Sequence, residues 1–160
     1  MRSGFEKQRD NPKKSEQKHV KEAYQEMPAE KQFILAMDVL KLHGLYGMFN
    51  GLADSIIAAD DALQSSQEEG SEKKVERYRK ELSHRQEEQR TIGELANQLK
   101  NDLHGRFGED LVNELGKQLR DLQNQDDLKP RDQRTGLYDI GRPDTWFFRE
   151  EQKASRDQSR

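Results

Sequence analysis

The sequence predicts an all-α protein: a small antiparallel helical bundle with coiled-coil-like seams, flanked by disordered or loosely packed ends. Three observations carry this. Apolar residues recur at alternating four- and three-residue intervals, the pattern of one helix face meeting another helix. Proline and glycine-containing breaks divide those runs into helix-sized pieces. Only 31% of the 160 residues are hydrophobic and 37% are charged, whereas an average globular chain is nearer half apolar and a quarter charged. That shortfall argues against a core spanning the whole chain and suits narrow seams with polar ends.

Residues 1–19 show no periodicity and read as a disordered basic leader, with Asn11-Pro12 as a turn signal. Residues 1–21 carry seven Lys/Arg and three Asp/Glu. Lys7, Arg9, Lys13, Lys14, Lys18 and Lys21 are therefore candidate contacts for nucleic acid or an acidic protein surface. The plain alternative is a solvated arm. The helical bundle is placed at residues 20–126. A helical stretch starting near Val20 is limited by Pro28, which disrupts a helix interior but fits a first turn.

The next helix runs from Pro28 to about His43. Phe33, Met37 and Leu40 form one stripe and Leu35, Val39 and Leu42 another, so it is expected to be the most buried element. Gly44 follows as its C-terminal cap. A second helix covers Leu45 to Gln67. Leu45, Phe49, Leu52, Ile56, Ala59 and Leu63 repeat at heptad spacing and form a seam. Gly47 and Gly51 fit a close helix approach or a loose first turn. Gln67 to Ser71 reads as a loop, with Ser71 placed to cap the third helix.

From Glu72 to His104, Val75, Tyr78, Leu82, Ile92, Ala96, Leu99 and Leu103 share one heptad frame. Arg85 and Gln89 interrupt it. Twelve of residues 71–90 are charged, so this half is expected to be solvent-washed. Thr91 to Glu94 fits a capping box, which leaves one bent helix or two short ones open. A last helix spans Gly108 to Gln125, with Glu109 and Asp110 at its positive end and Val112, Leu115, Leu119 and Leu122 along its seam. Short glycine-marked turns favour antiparallel neighbours. A dimer whose seams close only on a second chain fits the same pattern. Leu45, Phe49, Leu52, Ile56, Leu63, Val75, Tyr78 and Leu82 are the candidate seam or oligomer contacts.

Residues 127–160 form a polar tail carrying Leu137, Tyr138, Ile140, Trp146, Phe147 and Phe148. Two readings stay open. The cluster folds back on the protein's own core, or it docks on a partner as an aromatic anchor.

Chemistry is not visible. The absence of cysteine removes disulfides, thiolate zinc sites and cysteine nucleophiles together. His19, His43, His84 and His104 build no zinc motif. Glu81-Leu82-Ser83-His84 has the E-x-x-H spacing of a di-metal bundle but lacks the second copy such a site needs. No phosphate loop, dinucleotide fingerprint or nucleophile elbow is present. No metal, no cofactor, no small-molecule substrate and no enzymatic role are expected. No apolar run reaches the roughly 20 residues of a membrane span. Residues 22–128 carry a net charge of −9, which disfavours wrapping a phosphate backbone. The expectation is a cytoplasmic, non-catalytic interaction protein: an adaptor, chaperone-like accessory or scaffold subunit that binds a protein partner or itself. A nucleic-acid accessory using the basic arm is the alternative.

Overall fold

Four long helices account for most of residues 12–146, the part of the chain that the computed structural model describes. They are α1 (Pro12–Glu26), α2 (Ala29–Glu69), α3 (Glu72–Phe107) and α4 (Glu109–Asp127). A 3-10 turn (Arg131–Gln133), a single helical turn α5 (Leu137–Ile140) and a second 3-10 turn (Pro143–Thr145) follow. No strand occurs among the described residues. The fold is an all-α helical bundle, as the periodicity predicts.

The chain divides into two compact units. Residues up to Leu40 and from Leu103 onward form the first; Lys41–Asp102 forms the second. The boundaries fall inside α2 and α3.

The first unit holds the large buried side chains. Tyr24, Leu35, Leu103, Leu115 and Leu119 are fully enclosed, joined by Val39, Leu111, Val112, Ile140 and Trp146. Acidic Glu109 and Asp110 open α4 at its positive end. Between α1 and α2 the chain turns at Met27-Pro28, where Gln32 Nε2 donates to the Tyr24 carbonyl at 2.6 Å. That contact satisfies one of the carbonyls that every helix end leaves without an intrahelical partner.

The second unit is a helical hairpin. The turn at Gly70 is a Schellman motif: Ser71 N–H donates to the Ser66 carbonyl and Gly70 N–H to the Gln67 carbonyl, both at 3.2 Å. Gly70 takes φ +74°, a left-handed conformation that costs other residues about 1–2 kcal/mol. The two arms meet where Gly93 faces Phe49. A Cβ at Gly93 would lie 3.1 Å from the Phe49 ring, and Gln89 Nε2 donates to the Phe49 carbonyl at 3.4 Å.

Three expectations need correction. The leader predicted to be disordered to residue 19 is helical from Pro12; proline suits a first helical position, where its missing N–H is not needed. Gly44 does not cap a helix, and the pieces predicted at 28–43 and 45–67 are one helix, Ala29–Glu69. A lone interior glycine costs only about 1 kcal/mol, and Leu35, Leu42, Leu45 and Phe49 keep one heptad phase across it. Thr91 does not cap either. It lies inside α3, with its hydroxyl donating to the Glu87 carbonyl one turn back at 3.0 Å.

Candidate interaction surfaces

The C-terminal hook belongs to the first unit and is built from Asp126. This carboxylate sits at the end of α4, 5% exposed. It accepts from Thr135 N–H at 2.7 Å and from Gly136 N–H at 3.2 Å. The Thr135 hydrogen bond holds the carboxyl below its ordinary pKa, aided by Gly136 and the nearby Lys129 and opposed by burial. Arg134 tightens the same loop through the carbonyls of Lys129 and Asp127.

The chain then turns into α5. Gly141 passes so close to Leu40 that a Cβ would lie 3.1 Å from its methyl. The Ile140 carbonyl accepts from Trp146 Nε1 at 3.0 Å and from the Thr145 hydroxyl at 2.6 Å. The Trp146 ring packs tilted against Tyr24, centroids 6.1 Å apart. With one face on Tyr24 and its N–H satisfied, the indole is 3% exposed. Of the six residues predicted to anchor a partner, Ile140 and Trp146 are thus buried by this chain itself and are not open for docking. Leu137 and Tyr138 remain exposed. Phe147 and Phe148 lie outside the described residues.

The first unit also carries a groove of about 690 Å³, within the size range of small-ligand pockets. Narrow seams left little room to expect such a feature. Ala23, Met27, Pro28, Ile34, Phe107 and Leu111 make its apolar wall, with Glu26, Lys31 and Arg106 as the charged members. Arg106 is held by Asp38 at 2.9 Å. The lining has no histidine or serine; its titratable side chains besides Arg106 are Glu26 and Lys31. It can receive an apolar group. The pattern that would have revealed it, Ala23 and Met27 one turn apart near Pro28, is indistinguishable in sequence from an ordinary helix end.

The predicted seam residues lie in the second unit and are incompletely covered. Leu45, Phe49, Leu52, Ile56, Leu63, Val75, Tyr78 and Leu82 are all only half-buried. In the whole of Lys41–Asp102 the buried residues are Leu42, Ala59, Ser66 and Ala96. Tyr46, Met48, Ile57 and Leu95 are exposed on its flanks. Two helices can shield only one side of each other's seam. The interrupting Arg85 pairs with Glu81 at 3.1 Å within its own helix.

The remaining candidates are dispersed. His84 is exposed and pairs with Glu88, not Glu81. No group of three metal-ligating side chains occurs among the described residues, and no helix there is long and apolar enough to cross a membrane. Of the basic arm, Lys18 is exposed and Lys21 half-buried on α1. Lys7, Arg9 and the side chains of Lys13 and Lys14 lie outside the described residues. No protein-family model, curated protein or solved structure matches the chain.

Proposed function

We propose that the chain is a non-catalytic interaction protein, an adaptor or scaffold subunit that works by packing helix faces against partner helices. One observation carries the reading. The hairpin Lys41–Asp102 keeps a heptad seam along both arms yet buries no large side chain except Leu42. Burying a leucine or phenylalanine fully contributes about 1.5–3 kcal/mol over leaving it exposed, and ten or so such residues here stop part-way. Further helices would complete that burial. The groove beside Met27 and Phe107 offers a second contact, sized for an apolar side chain of a partner.

The test is cross-linking of the full-length protein in its native cells, read by mass spectrometry. Lys73, Lys74 and Lys80 on the hairpin are exposed and reactive to amine cross-linkers. Links from these lysines to another polypeptide chain, of either the same or a different kind, are expected. If they link only within their own chain, the proposal is wrong.

A further inference from the structure

The unfinished seam of the hairpin has flanks with a definite layout. On α2, Met48, Gly51, Ser55, Ala58, Ala62 and Ser65 repeat at the same alternating spacing as the inner seam, one residue earlier, and carry no charge. A Cβ at Gly51 would meet nothing within 4 Å, so another helix has room to approach closely. On α3 the matching flank, one residue before its own seam, carries Lys74, Arg77, Glu81, His84, Glu88, Thr91 and Leu95. Two contacts fix the register between the arms: Gly93 against Phe49 and Lys74 Nζ to Glu69 at 3.3 Å. They set Met48 level with Leu95 on the flank that ends in the Glu69–Lys74 pair. Met48 is 56% exposed and Leu95 48%.

Charge is segregated at the turn end. Residues 54–69 of α2 hold five acidic residues and no basic one, whereas residues 73–85 of α3 hold six basic and two acidic. A second copy of the same hairpin is therefore a complementary partner. With both turns at one end, the acidic arm of each copy lies against the basic arm of the other, and every neighbouring helix pair is antiparallel. With turns at opposite ends, that match is lost. Each arm is about 45 Å long at 1.5 Å per residue, and two arms side by side are roughly 20 Å wide. Such a face covers about 900 Å² per copy, near the ~800 Å² per partner of a standard stable interface.

We propose that Lys41–Asp102 is a dimerisation element. Two copies associate with their turns at the same end, α2 of each against α3 of the other, and Met48 of one meets Leu95 of the other. This rests on reading the chain as an interaction protein and commits the hairpin's partner to a second copy.

Sedimentation equilibrium of the full-length protein over the micromolar range tests it. The expected mass is twice the 18.7 kDa of one chain. Met48→Lys changes an exposed side chain, so helix content should hold while the mass falls to that of one chain. Because the protein has no cysteine, the arrangement has an independent test. Oxidising a mixture of Met48→Cys and Leu95→Cys chains should give disulfide-linked dimers, and neither variant alone should do so at comparable yield. A single-chain mass throughout the range overturns the proposal. So do disulfide dimers formed as readily by Met48→Cys alone. A monomer whose hairpin lysines still cross-link to other proteins overturns the dimer and leaves the adaptor reading standing. A monomer with no cross-links to any chain overturns both.

Discussion

Asp126 is where the chain reverses to place its tail, and its ionised form makes the reversal. A carboxylate whose pKa is lowered by folding adds stability above its unfolded value, and that stability is lost as pH falls through the lowered folded value. Thermal melts from neutral to acid pH should therefore show a fall below the usual carboxylate range that Asp126→Asn flattens. Parallel curves for the two proteins would refute this. At neutral pH the asparagine variant should melt a few degrees lower. Trp146 is the second residue to measure. Truncating a buried aromatic to alanine costs about 3–5 kcal/mol, so Trp146→Ala should lower the unfolding free energy by that order in urea titrations followed by circular dichroism. A loss under about 1 kcal/mol would contradict the burial of its indole against Tyr24. The sequence showed that Trp146 needs cover; it did not show whose. Apolarity carries no address, and the covering residue, Tyr24, lies near the other end of the chain.

The helices were legible where periodicity and breakers agreed. The turn at Gly70 and the start of α4 appear where expected. The break at Gly44 was misread because glycine in a helix interior and glycine at a cap look alike until the phase of the flanking seams is compared. The same distinction yields opposite predictions for individual glycines. Gly105 and Gly116 lie inside α3 and α4 with nothing within 4 Å of a Cβ. Alanine at either should stabilise by up to about 1 kcal/mol, the difference in helix propensity. Gly108 joins α3 to α4 at φ +89° and ψ 144°, a conformation essentially closed to other residues. Gly108→Ala should cost about 1–3 kcal/mol. Chemical denaturation of the three variants, with equal slopes, would show whether the signs differ as stated.

At the scale of the whole molecule, the large buried side chains lie in the first unit, Leu42 excepted. Local stability follows buried contacts, so the two units should differ in amide hydrogen exchange. In dilute protein, amides near Leu115 and Leu119 should exchange far more slowly than those along Leu52–Leu63. Uniform protection across both stretches would refute this. Composition pointed to a limited core, since a chain so rich in charge has little apolar surface to bury, but it placed one bundle at residues 20–126 and no division within it. It did not foretell that α2 and α3 would each run unbroken through both units, because that depends on seam phase continuing past residues that elsewhere end helices.

The tight turn at Gly70 also bears on the order in which the chain folds. The core of the first unit joins residues before Leu40 to residues after Leu103, so forming it first would mean closing a long loop, with the entropic cost that entails. The hairpin between them needs only neighbouring segments to zip from a two-residue turn, the kind of local contact that forms fastest. Once zipped, it carries Leu40 and Leu103 toward each other and shortens the search that remains. Replacing Gly70 with a β-branched residue should accordingly show its larger effect on the folding arm of a chevron plot and the smaller on the unfolding arm.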